Sequence, residues 1–68
     1  MRAKKYEETL KRFGEAVKKA RKKRRLSQDK LAKRIGYTSG MISRWEHGLK
    51  EPGYLAVKAL QRALKIKI

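Results

Sequence analysis

Residues 26 to 48 read LSQDKLAKRIGYTSGMISRWEHG. The stretch carries helix start and stop signals in alternation. Ser27 stands where a helix N-cap would, and Asp29 falls in the first turn, where the helix dipole favours a negative charge. Leu26 before the cap and Leu31 inside the helix can pair as a hydrophobic staple. Leu31, Ala32 and Ile35 make one buried face, and Gly36 is a C-terminal stop. These signals predict a short helix over about residues 28–35. Thr38 is a second cap, Met41, Ile42 and Trp45 follow at helical spacing, and Gly48 ends the segment.

Two short helices joined through Gly36-Tyr37-Thr38 make a helix-turn-helix unit over about residues 27–48. Upstream, Tyr6, Leu10, Phe13, Val17 and Ala20 recur at steps of four, three, four and three, which predicts one long amphipathic helix from Lys4 to about Arg25. Glu7 with Lys11 and Glu15 with Lys19 are acid-before-base pairs at i,i+4. Gly14 weakens this helix by roughly 1 kcal/mol against alanine, and a close approach by a neighbouring helix is the reason to expect it there. Downstream, Pro52-Gly53 breaks the chain. Tyr54 to Leu64 follows as a fourth helix, with Leu55, Ala59, Leu60, Ala63 and Leu64 expected inward. In the tail, Lys65-Ile66-Lys67-Ile68, either isoleucine can tuck onto the core.

Size limits what such a chain can do. Its 68 residues make one domain, which buries only a little over half of its unfolded surface. It has no cysteine, so no disulfide or thiolate metal site, and its one histidine cannot make a zinc site alone. Stability must come from helix packing. The net charge is +15, from 21 Lys and Arg against 6 acids. Residues 1–34 hold 15 of the basic and 4 of the acidic residues. Such a surface attracts polyanions, nucleic acid first and anionic membrane second. No apolar run approaches the ~18 residues of a membrane span, and MRAKKYEETL has no signal-peptide core. A soluble, cytoplasmic or nucleoid-associated protein is expected.

LSQDKLAKRIGYTSGMISRWEHG resembles the phage repressor and Cro-type helix-turn-helix family, also called the XRE family. The matching positions are Leu26, Ser27, Gln28, Leu31, Ala32, Gly36, Ile42, Ser43, Trp45, Glu46, Gly48, Pro52 and Leu64. The resemblance covers roughly residues 13–66 and implies a small all-α, lambda-repressor-like domain of four helices. Family members often add a fifth helix, for which this chain has no room. Its first helix instead extends backward through Tyr6 and Leu10, toward the surface a fifth helix would cover. Where the family commonly has a polar side chain such as Gln at the first outward positions of the recognition helix, this chain has Ser39 and Gly40, so a Gln-to-adenine contact is not carried over. Nothing resembles a separate dimerisation domain.

The resemblance implies binding of double-stranded DNA, with the helix at about residues 38–47 in the major groove. With Ile42 and Trp45 facing the core, Ser39, Gly40, Ser43 and Arg44 face outward, with Met41 and His47 beside them. Arg44 is the first candidate for reading a base, since a guanidinium can bond guanine O6 and N7 together; its alternative is a phosphate or solvent. Ser39 and Ser43 are short enough for close approach. Gly40 lets the backbone near DNA or loosens the first turn. Met41 touches a thymine methyl or packs on that turn. Candidate phosphate contacts are Lys22, Arg24, Arg25, Ser27, Gln28, Tyr37, Thr38, His47 and Lys50, and the resemblance implies that Gln28 also braces the recognition helix. Arg21 and Glu46 look like the family's internal ion pair, and Ile42 and Trp45 like its core residues.

Other classes fare less well. A membrane-active amphipath needs no helix-turn-helix. An enzyme would need paired carboxylates, a nucleophile with its base, or a metal cluster, and none is present. No cofactor, metal or small-molecule ligand is expected. An antitoxin-like protein-interaction module on the same fold is the main alternative, with Tyr54 or Ile66–Ile68 as its contact. The expected assembly is a monomer or weak homodimer. The long first helix and dense Lys/Arg decoration also resemble an engineered or thermophile scaffold, whose target would be a chosen short DNA sequence.

Overall fold

The computed structural model describes residues 3–67. They form α1 (Lys4–Lys23), α2 (Gln28–Ile35), α3 (Ser39–Glu46) and α4 (Tyr54–Leu64), with no strand among them. α1 and α2 each pack against both α3 and α4. The longest dimension, 33 Å, is set by α1, whose 20 residues span about 30 Å at 1.5 Å per residue.

The two short helices begin and end where the sequence places them. The Ser27 hydroxyl accepts the Lys30 amide at 3.0 Å, and the Thr38 hydroxyl accepts the Met41 amide at 3.2 Å. Gly36 and Gly48 take left-handed backbone angles, φ 76° and 68°. Each lets the next amide reach back, Tyr37 to the Ala32 carbonyl and Leu49 to the Arg44 carbonyl, both at 2.9 Å. This satisfies carbonyls that a helix end would leave bare.

α1 stops two residues earlier than its apolar stripe and basic run suggest. Arg25 is itself left-handed, φ 56°, and the Leu26 amide bonds the Arg21 carbonyl at 3.1 Å. The same closure recurs at Lys65, φ 52°, where the Ile66 amide bonds the Gln61 carbonyl at 3.2 Å. All four helices therefore end on one motif. Two use glycine and two use a cation.

The core joins Val17, Leu26, Leu31, Ala32, Ile42, Trp45, Ala56, Leu60 and Leu64, with Phe13, Ala20, Ile35, Met41, Ala63 and Ile66 packed around it. The staple pair, Leu26 and Leu31, is in it. Ile66 is the tail residue that tucks in; Ile68 lies outside the described residues. In α4 the inward reading of Leu55 is corrected: it is 76% exposed, and Ala56 is buried in its place. Stepping by four from Leu64 through Leu60 lands on Ala56, and Leu55 lies about 100° around the helix from it.

Leu10 is buried, while Tyr6 at the start of the extension is 37% exposed. Together with Thr9 and Phe13 they line a groove of about 180 Å³ against Pro52 and Val57, so the extension lies over the connection into α4. The expected pairs Glu7–Lys11 and Glu15–Lys19 do not close; among the described residues the i,i+4 pair that forms is Asp29–Lys33, at 3.2 Å. Such exposed pairs gain too little, about 0.3–0.5 kcal/mol, to hold two long side chains in one geometry.

Candidate nucleic-acid interface

α3 is built with two unlike sides. Its inner side is fixed by contact. Ile42 and Trp45 are fully buried, and the Tyr37 ring meets the indole edge-on at 5.1 Å between centroids. Gly14 of α1 lies so close that a Cβ there would sit 2.3 Å from the Trp45 carbonyl oxygen and 2.5 Å from that of Glu46. The close approach expected at Gly14 is thus made by the carbonyl end of α3, and no larger residue fits without moving one helix off the other.

Glu46 locks the same end. Its Oε2 accepts Arg21 Nε at 2.6 Å and its Oε1 accepts Arg21 Nη2 at 3.1 Å. Arg21 Nη1 donates to the Leu26 carbonyl at 2.8 Å, within the turn between α1 and α2. Gln28 Nε2 then donates to Glu46 Oε1 at 3.0 Å. Both charges are buried, and a buried pair is tolerable only when its remaining hydrogen-bonding capacity is filled. Here the pair is filled by Gln28, the first residue of α2, and by the Leu26 carbonyl in the turn before it. One network therefore fixes α1, α2 and α3 against one another. Gln28 was expected to touch a phosphate and also to brace the recognition helix. The Glu46 bond is the brace.

The outer side of α3 is sparsely engaged. Ser39, Gly40 and Arg44 are exposed, and Met41 and Ser43 are half-buried. Around Gly40 there is open space, with only the Thr38 hydroxyl oxygen, at 3.9 Å, near a hypothetical Cβ. Arg44 runs back along the helix, its Nη1 3.9 Å from the Met41 sulfur, so its charge lies over the N-terminal part of α3. No acid stands in that first turn, leaving the positive helix end uncompensated. His47 caps the other end: with the proton on Nδ1, it donates to the Ser43 carbonyl at 2.7 Å.

The remaining candidates surround this edge unequally. Lys22, Arg25, Ser27, Tyr37, Thr38 and Lys50 are exposed. Ser27 and Thr38 use their hydroxyls as helix caps, and Tyr37 uses its ring against Trp45. Arg24 is partly withdrawn: its Nε donates to the Leu64 carbonyl at 2.7 Å, across to the end of α4. Nothing in the sequence marks that bond, because the two residues are far apart in the chain and an arginine after a basic helix reads simply as charge. Among the described residues no helix is long and apolar enough to cross a membrane.

Comparison with known proteins places this geometry. A helix-turn-helix family model matches residues 17–68. Among solved structures the chain is similar to the restriction-modification controller protein C.AhdI from Aeromonas hydrophila, with a TM-score of 0.85 and 26% sequence identity, over 91% of this chain and 90% of that one. No match is found among curated protein sequences.

Proposed function

The chain belongs to the XRE-type helix-turn-helix family, and on that premise we propose that it binds double-stranded DNA sequence-specifically, with the N-terminal edge of α3 in the major groove. One observation carries the proposal. α3 is clamped from behind by Gly14, Ile42, Trp45 and the Arg21–Glu46–Gln28 network, while its other side offers three small residues, a half-buried methionine and one long polar reader. A rigid mount behind a slim, exposed edge is what close entry into a groove requires.

The roles divide by chemistry. Arg44 reads a base through its planar fork. Ser39, Gly40, Met41 and Ser43 set how near the backbone comes. Lys22, Arg25 and Lys50 carry phosphate attraction, supported by the hydroxyl or imidazole of Tyr37 and His47. Ser27, Gln28 and Thr38 offer helix-terminal amides to phosphates. Arg24, held by the Leu64 carbonyl at the end of α4, is not assigned to this face. The likeness to a restriction-modification controller protein supports a regulatory rather than an enzymatic role.

Selection of bound sequences from a random duplex library at stated salt tests the proposal. Arg44→Ala should relax one position of the selected site, losing about 1–3 kcal/mol of discrimination there. Lys22→Ala should weaken all sequences alike. The reverse pattern would overturn the assignment. With about six phosphates neutralised, log K should fall with log salt at a slope near −5.

A protein-partner reading has one observation behind it. Leu49, Tyr54 and Leu55 are 69, 74 and 76% exposed around the start of α4. Clustered exposed apolar side chains mark contact surfaces. The mass of the DNA complex separates the cases: one chain per site leaves this surface free, and two chains on a palindrome use it for a second copy.

A further inference from the structure

The proposed DNA face draws on a minority of the 21 Lys and Arg residues. One group of the others is gathered by the fold. Where the C-terminal ends of α1 and α4 meet, Lys23, Arg24 and Lys65 line an open cleft of about 410 Å³ floored by Ala20, Leu64 and Ile66. An adjoining hollow adds Lys19 and Lys67. Among the described residues no carboxylate lies within ion-pair distance of any of these cations.

Three features hold the cleft in shape. Lys65 turns the chain through its left-handed conformation, and the Ile66 amide closes back on the Gln61 carbonyl. Ile66 then packs onto the core, laying the tail beside α1. Arg24 Nε bonds the Leu64 carbonyl, which fixes the guanidinium plane and engages the negative end of α4 that would otherwise repel an anion. The two terminal nitrogens of Arg24 make no other hydrogen bond among the described residues. A fixed guanidinium fork flanked by flexible ammonium groups suits a phosphate.

The cleft does not share a side of α1 with α3. Gly14 meets the Trp45 and Glu46 carbonyls. Lys23 lies nine residues on, which at 3.6 residues per turn is about two and a half turns and so half a turn around the helix. A duplex held on α3 leaves this side open.

We infer that the cleft is a second phosphate-binding site, and that its occupant is the backbone of a second nucleic-acid segment, so that one copy holds two duplexes. An anionic membrane is the poorer fit. A surface helix needs an apolar face to insert, and that of α1, at Leu10 and Val17, is spent in the core.

The test uses the whole chain, a bead-bound duplex carrying its selected site, and a fluorescent duplex of unrelated sequence in solution. The wild type should capture the second duplex. Capture should weaken with salt at a log–log slope steeper, by about 2.7, than that of the triple variant K19Q/K23Q/K65Q, if three phosphate contacts are lost. That variant should capture at least about tenfold less at moderate salt while its affinity for the first duplex moves by less than about threefold. R34Q/K58Q/R62Q removes the same charge from the α2–α4 side and should capture as the wild type does. Circular dichroism checks that both variants stay folded. No capture by the wild type, equal loss in both variants, or loss in neither would overturn the inference. Two chains per captured pair would move the bridge to a dimer and overturn it as well. Vesicles of phosphatidylserine and inorganic triphosphate supply two more arms. Lys19-, Lys23- and Lys65-dependent binding to either, without duplex capture, would overturn the nucleic-acid assignment. Failure of the wild type to bind the first duplex would count instead against the reading of α3.

Discussion

The helix-turn-helix unit and the helices that flank it end their segments by the same backbone geometry but with different residues. In α2 and α3 a hydroxyl caps each start, Ser27 and Thr38, and a glycine turns each end, Gly36 and Gly48. In α1 and α4 the starts, Ala3 and Gly53, have no side-chain cap, and the ends turn on Arg25 and Lys65. The inner unit is specified locally, residue by residue. The outer helices are specified by what they pack against, and they accept backbone strain to place a cation at the turn.

The two regions are joined at Glu46, where the largest effect is expected. Glu46→Ala leaves Arg21 buried with only the Leu26 carbonyl, and should cost about 3–5 kcal/mol, the range for breaking a buried pair from one side. In a domain this small that is most of the stability. Urea unfolding would show it. A loss below about 1 kcal/mol would mean that the outer helix is not tied to the inner unit through this network.

Next come the turns. Gly36→Ala should cost about 1–2 kcal/mol for forcing a side chain into the left-handed region. Gly48→Ala should cost more, because its Cβ would also meet Lys11 of α1 at 3.0–3.3 Å, whereas nothing lies near Gly36. Thermal melts of the two variants measure the difference. Equal losses would say that the α1 contact at Gly48 is free to relax.

The outer turns should respond with the opposite sign. Arg25→Gly and Lys65→Gly each remove a left-handed penalty of about 1–2 kcal/mol and add a glycine entropy cost of about 0.5–1, for a net gain of about 0.5–1 kcal/mol. The same melts check it. If both variants are destabilised instead, the side chains at these turns hold the fold by contacts that outweigh the strain.

This contrast also explains what was legible in the sequence. Both short helices could be bounded to within a residue because Ser, Thr and Gly announce their ends through their own chemistry. The end of α1 was not, because Arg25 gives no sign that it will turn left-handed; only the packing of Leu26 into the core demands it. In α4 the bulk of Leu55 outweighed the four-residue step that leads to Ala56. At the candidate site, Arg21–Glu46 was legible from a family resemblance. The bracing part of Gln28 came with the same resemblance, though its partner, Glu46 on another helix, did not, and the Arg24–Leu64 bond joins two helix ends that no local pattern links. Local signals name the ends of helices, and long-range packing decides which polar groups are spent before any ligand arrives.

The smallest expected change in stability falls at Gly40, and it bears most directly on α3. Gly40 is exposed, has no left-handed backbone angle, and has room for a Cβ. As a folding residue it is therefore a poor choice: alanine should be neutral or stabilising by up to about 1 kcal/mol, the helix-propensity difference. As an interface residue it is a good one, because a methyl on the groove-facing edge would hold the backbone away from the bases. Gly40→Ala should thus hold or raise the melting temperature and lower affinity for the selected duplex by at least about tenfold, or 1.4 kcal/mol. The affinity loss should keep the salt slope unchanged, since no phosphate contact is removed. Unchanged affinity with raised stability would place the glycine outside the interface. A fall in both would mean that it supports the helix in a way its open surroundings do not suggest. Only opposite signs fit an edge kept slim for DNA at the expense of the fold.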